Sequence, residues 1–183
     1  CEFDHNMYGI WADDQCAVHF VKNRLHHHTD DGMVLAGDTQ CRVAQNESFE
    51  NEGCGIFVFR EAHPILERNI LHGNVCGLYY GDDSGGTASE NECRNNKAEG
   101  IRVLNEAQPS PGSKRREGNG SAGISFAGAS EGRAVSNSCK NNQDGISVTE
   151  DATPTLRGNS YHWNRGRDVF FAKPENAKNA TPL

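Results

Sequence analysis

The residues best suited to chemistry lie in the first half of the chain. His26-His27-His28-Thr29-Asp30-Asp31 is the densest run of proton-transferring side chains, and Asp13-Asp14 and Asp82-Asp83 are paired carboxylates. Imidazole changes charge near neutral pH and ligates metals through a ring nitrogen. Neighbouring carboxylates can chelate calcium or divide acid and base roles between them. The catalytic candidates are therefore His27, His28, Asp30 and Asp31, and the calcium candidates are Asp13, Asp14, Asp82 and Asp83. A plainer explanation stands beside each: a solvated turn acid, or a histidine occupying a position that otherwise holds an amide. A third set is largely aromatic. Trp11, Val34, Phe57 and Tyr79, followed by Arg102, recur at intervals of 22 or 23 residues. Such a stripe suits a sugar chain or a partner protein's side chains, unless other protein covers it.

The same interval runs through most of the sequence. A glycine followed by a large apolar residue occurs at Gly9, Gly32, Gly55, Gly77, Gly100, Gly123 and Gly145, and an eighth copy has Asp168 in place of glycine. Fourteen residues after each glycine stands an asparagine (Asn23, Asn46, Asn69, Asn91, Asn137 and Asn159), with Lys114 as the exception. A period this regular marks a repeat architecture. Apolar residues at the first and third positions after the glycine, as in Ile56/Val58 and Ile146/Val148, alternate as in a strand. Two further short apolar points follow in each unit, so each unit offers three strands and no helix.

One unit cannot bury enough surface to fold alone. Ordering its residues costs about 1.5 kcal/mol each, and its few inward side chains return only about half of that sum. Stacking must supply the rest, with coils about 4.8 Å apart and strands paired in parallel. The sequence thus predicts an all-β, single-stranded parallel solenoid of about eight coils of 22 to 23 residues over 1–172, and an extended or disordered tail over 173–183. Asparagines at equivalent turns are expected to form a hydrogen-bonded ladder. The repeated glycine is expected to hold a positive φ. His28 is placed above His5 in the column of Asn51, Asn96, Asn119 and Asn141, with His27 two coils from His72. Trp11, Val34, Phe57 and Tyr79 point outward from the first strand.

The pattern Asn-Asn-x-x-x-Gly-Ile-x-Val-x-x-x-Ala-x-Pro at Asn95 to Pro109, and at Asn141 to Pro154 with one residue fewer, resembles the right-handed parallel β-helix superfamily. It is similar to the carbohydrate-binding and sugar-hydrolase repeats with a pectin-lyase-like fold, including those of F-box proteins that carry a β-helix. The resemblance implies a right-handed helix and leaves function open among lyases, epimerases, carbohydrate binders and protein-recognition modules. It also implies polysaccharide on the outer face of the first sheet, calcium-binding acids in the lyases, and a copper association for some members. Asp14 and Asp82 should stand three coils, or roughly 14 Å, apart, too far to share an ion. The Asp-Pro-His-Asp signature of the alginate epimerases and the lyase arginine motifs have no counterpart here. The expected function is a non-catalytic module holding a carbohydrate or protein partner without a resident cofactor. The alternatives are a polysaccharide lyase or C5-epimerase, and a structural spacer.

A net charge of −7 argues against a nucleic-acid binder, which needs a basic face. No stretch is apolar enough to span a membrane. Seven cysteines cannot all pair. Cys16, Cys41, Cys93 and Cys139 fall at inward positions, and Cys54 and Cys76 precede glycines on adjacent coils, close enough for a disulfide or a thiol pair. No Cys-x-x-Cys suggests zinc. Core-type cysteines favour a reducing cytoplasm. The triplets at Asn46, Asn119 and Asn179 keep a secreted or cell-surface setting open. Beginning in mid-repeat at Cys1, the chain reads as a fragment whose ends are capped by flanking coils or another chain, or as a processed form such as a lipoprotein. Residues 109–118 look irregular, because Lys114 interrupts the asparagines and Arg116 falls on an inward position. That segment is expected to bulge outward.

Overall fold

The structure, a computed structural model, describes residues 1–112 and 115–179. Three short strands per repeat pair only with strands one repeat away, and every pairing is parallel. The first sheet has eight strands, from Ile10–Ala12 to Val169–Phe171, and the second has seven, from His19–Val21 to Thr155–Arg157. The third has eight, from Glu2–Asp4 to Ser160–His162. The chain is therefore a wound ribbon of seven full coils with an eighth begun. Ile56, Leu78 and Ile101 are direct register partners, as the spacing requires. Inward columns such as Met33, Ile56, Leu78, Ile101, Ile124 and Ile146 are fully buried and form one continuous core.

Two asparagine ladders run inside the corners. In one, the Oδ1 of Asn46, Asn69 and Asn91 each accepts from both the backbone N–H and the Nδ2 of the asparagine one coil before, at 2.9 to 3.0 Å. Each Nδ2 also donates to a backbone carbonyl that faces it, as Asn69 does to Val43 O at 2.9 Å. The second ladder runs through Asn51, Asn74, Asn96, Asn119, Asn142 and Asn164. The expected Asn141 is thus displaced by one position to Asn142, and Asn74 belongs to the column. Burial of Asn46 and Asn119 inside these ladders leaves no room for a glycan on either side chain in the folded state.

The glycine column has a different cause from the one expected. Gly9, Gly32, Gly55, Gly77, Gly100, Gly123 and Gly145 are absent from the positive-φ positions. They are required by close approach: a Cβ on Gly77 would stand 2.6 Å from the Gly100 carbonyl oxygen and 3.0 Å from Asn96 Nδ2. Asp168, at the equivalent position, lies on the last described coil. The left-handed residues lie instead at the corners, as in the column Asp14, Gly37, Arg60, Asp82 and Asn105, with φ from 52° to 63°.

The fifth coil does not bulge over its described residues. Ser110–Gly112 and Arg115–Glu117 pair in register with both neighbouring coils, and Arg116 points inward with no exposure. Its Nη1 donates to Asn91 O at 2.6 Å, and its Nη2 reaches Asn137 Oδ1 at 3.5 Å. The guanidinium thus spans the rung between Asn91 and Asn137; the intervening Lys114 lies outside the described residues. Nor is the tail extended throughout. Pro174–Asn179 forms a 3₁₀ helix, and buried Asn176 donates to Glu150 O and Ala152 O at 3.2 and 2.9 Å, closing a corner of the last coils.

Candidate ligand-binding face

The outer face of the first sheet carries the aromatic residues because positions two and four after the glycine point away from the core. Phe57 and Tyr79 are cross-strand partners, and their rings stack at 4.7 Å with 18° between planes. Phe59 stacks on the other face of this group, 4.8 Å from Phe57. The ends are closed by cations: Arg60 lies over Phe59 at 5.1 Å and Arg102 over Tyr79 at 5.6 Å. Trp11 meets Phe59 edge-on at 6.3 Å and Tyr8 at 5.0 Å, and it is 49% exposed. Val34 departs from the expectation. It lies between Trp11 and Phe57 in register but is only 1% exposed, because the Trp11 and Phe59 rings meet across its coil. Sequence reading missed Tyr8, Phe59 and Arg60. Continuing the alternation one step past Val58 would have found Phe59.

Polar groups border this face at the left-handed corner. Asp13 pairs with Arg60 Nη1 at 3.3 Å, and Asp82 accepts from Arg60 N at 3.4 Å and from Asn105 Nδ2 at 3.1 Å. Asp14 and Asp83 are exposed on the same corner. Among the described residues no three His, Cys, Asp or Glu groups converge in a way that could hold a metal ion.

The catalytic candidates do not converge. His28 is buried at 1% exposure in the second ladder: its backbone N–H donates to Asn51 Oδ1 at 3.0 Å, and its Nδ1 accepts from Asn6 N at 3.2 Å. Asn6, not His5, is thus its neighbour in the column, and burial holds the imidazole below its usual range. His5 instead stacks outside on His27 at 5.3 Å, and His27 pairs with Glu50 at 3.0 Å. The residue in register with His72 is His26, with Phe49 stacked between them at 4.7 and 5.2 Å. The Asp30 carboxylate raises the pKa of the Tyr8 phenol. Asp31 is buried and accepts from Cys54 N at 2.6 Å.

Burial pushes Asp31 up to about 6, from 3.8 in the unfolded chain, with the Asp30 charge adding to the shift. A carboxyl raised on folding favours the native state below the unfolded value and loses that advantage as pH rises through the folded one. About two pKa units correspond to roughly 2–3 kcal/mol. Asp31→Asn keeps the acceptor for Cys54 and removes the buried charge. It is expected to be more stable than the wild type by about 1–3 kcal/mol at pH 8, with the difference gone near pH 4. Urea melts across that range measure it, and a pH-independent difference would refute the assignment.

The comparisons with known proteins agree with this geometry. The family model described as right handed beta helix region matches residues 1–114. The chain belongs to the right-handed β-helix family. No curated protein matches the sequence of this β-helix. Among solved structures it is similar to a point mutant of the periplasmic alginate epimerase AlgG, with a TM-score of 0.70 at 16% identity over 91% of this chain and 49% of that one. It is also similar to the A-module of the Azotobacter vinelandii mannuronan C-5 epimerase AlgE6, with a TM-score of 0.61 at 16% identity over 97% of this chain and 54% of that one. The β-helix therefore spans about half the length of the solved structures it matches, and at this identity the likeness shows the fold alone. No helix among its described residues is long and apolar enough to cross a membrane.

Proposed function

We propose that this β-helix is a non-catalytic module that holds an extended carbohydrate along the outer face of its first sheet. The observation that carries the reading is the half-exposed Trp11 ring on a face whose corner carries Asp13, Arg60, Asp82 and Asn105 from the first coil to the fifth. A free aromatic face accepts the C–H side of a sugar ring, and planar polar side chains beside it can bind the hydroxyls at its edge. The two structural neighbours are, by their titles, alginate and mannuronan epimerases, which fits a sugar-binding face without assigning their activity here. The periplasmic setting of one is compatible with a secreted or cell-surface β-helix. A lyase or epimerase reading is less well supported, since His28 and Asp31 are buried in structural roles. One observation favours a protein ligand instead: the Phe57 and Tyr79 ring faces are already occupied, which leaves a ridge of edges flanked by arginines.

The test is a glycan array followed by calorimetry on the best hit, with product analysis for turnover. Trp11→Ala is expected to weaken binding about tenfold, equivalent to about 1.4 kcal/mol. Chain cleavage or epimerisation would favour the enzyme, and binding unaffected by the substitution would reject this face. Absence of any glycan binding would leave the protein-ligand alternative.

A further inference from the structure

The seven cysteines divide by position in a way their odd count hides. Cys93 and Cys139 share an inward column with Arg116 between them. That separates them by two coils, roughly 9–10 Å, which is beyond disulfide reach. Cys1 is exposed on the first coil. The remaining four form pairs on neighbouring coils. The Cys41 Sγ lies 3.6 Å from the Cys16 Sγ. Cys54 and Cys76 are Cα partners in the first sheet, and the Cys76 Sγ donates to Leu78 O at 3.3 Å. For Cys54 and Cys76, one coil spacing of about 4.8 Å falls inside the Cα separation that a disulfide requires. Cys41 stands opposite Val18, two residues along from Cys16, and there the short Sγ–Sγ distance is what brings the thiols within reach. Each pair joins a partly exposed thiol, Cys16 or Cys54, to a buried one, Cys41 or Cys76. An accessible attacking thiol beside a protected resolving thiol is the arrangement that thiol–disulfide exchange uses.

We propose that Cys16–Cys41 and Cys54–Cys76 are two oxidisable dithiol sites that take a low-molecular-weight disulfide as oxidant and, once oxidised, staple coil one to coil two and coil three to coil four. The thiolate of the partly exposed cysteine attacks one sulfur of the small disulfide. That bond breaks, one small thiolate leaves, and a mixed disulfide remains on the protein. The buried thiol then loses its proton to solvent and attacks the protein sulfur of the mixed disulfide, expelling the second small thiolate. Two electrons and two protons pass from the protein dithiol to the small disulfide. Burial pushes Cys41 up to about 11, and the Cys54 thiol together with burial holds Cys76 well above the usual thiol range. The second step therefore limits the rate and quickens as pH rises. The Cys54–Cys76 bond would join the strands Cys54–Val58 and Cys76–Tyr80, which carry the stacked Phe57 and Tyr79.

Incubation with oxidised glutathione, acid quenching, intact-mass measurement and peptide mapping test the proposal. The expected product has lost four hydrogens, carries no glutathione, and contains the 16–41 and 54–76 cross-links. Its unfolding midpoint should rise by about 5–10 °C and return on reduction with dithiothreitol. Cys16→Ser and Cys54→Ser, both at partly exposed positions, should each abolish one cross-link and leave the other. Glutathione retained at Cys16 or Cys54, cross-links between other cysteines, or an unchanged mass under conditions that oxidise the urea-unfolded chain would overturn it.

Discussion

Asn69→Ala should be among the most damaging single substitutions in the chain, although the residue lies outside the candidate binding face. Its Oδ1 accepts from Asn46 N and Asn46 Nδ2, and its Nδ2 donates to Val43 O and Asn91 Oδ1, with all four distances between 2.9 and 3.0 Å. Alanine leaves the Asn46 backbone N–H buried without its partner at about 1–3 kcal/mol, takes from the Val43 carbonyl the second donor it holds besides its ladder partner, and opens a void the size of the lost amide. The expected loss is about 3–6 kcal/mol, seen as a midpoint lowered by roughly 10–20 °C in a thermal melt. Asn69→Asp gives a sharper reading. A buried carboxylate accepts but cannot donate, so it repels the Asn91 Oδ1 and is costly at neutral pH. Burial raises its folded pKa above the unfolded value, so its penalty should shrink as pH falls toward 4 and the protonated carboxyl regains a donor. A loss below 1 kcal/mol for the alanine variant would mean that the ladder merely accompanies the stack and does not hold it.

The ladder was legible in the sequence because side chains that repeat at one coil's length must repeat in space. The spacing that placed Asn23, Asn46 and Asn69 in a column also placed Ile56 under Leu78 and Phe57 under Tyr79. What failed was the assignment of cause within a column. Gly77 reads as a turn residue, yet what demands glycine is the carbonyl of the next coil, a contact that no single repeat displays. His28 keeps a catalyst's company in Asp30 and Asp31, but the plainer expectation, a histidine standing in an amide's place in the ladder, is the one its ring nitrogen fulfils by accepting from Asn6 N–H. Val34 reads as exposed by its parity, yet rings from the coils on both sides meet across it. Alternation gives the direction of a side chain and is silent about what its neighbours then do. The binding face suffers most from this, because its polar rim is set by corner conformations at Asp14, Arg60 and Asp82 that are common to every coil and single out none.

Arg116 is the clearest case of a local rule overridden by the stack, and it carries the second large prediction. A guanidinium in the core without an acid beside it among the described residues should cost several kcal/mol. The sequence reading avoided that cost by bending the coil outward. The structure instead keeps the coil in register and uses the long side chain to donate to Asn91 O at 2.6 Å, with Asn137 Oδ1 at 3.5 Å. Its Nε has no partner, and the thiols of Cys93 and Cys139 flank it in the same column. Arg116→Ala is expected to cost about 3–5 kcal/mol, since it opens a cavity and leaves the Asn91 carbonyl unpaired. Arg116→Met should behave differently: it fills most of the volume and removes an incompletely satisfied buried charge, a change often neutral or stabilising. Its expected cost is under about 1 kcal/mol against the wild type, measured by urea unfolding at neutral pH. If methionine proves as damaging as alanine, the guanidinium's bond to Asn91 outweighs the burial of its charge, and the fifth coil depends on that hydrogen bond more than on the filling of its core.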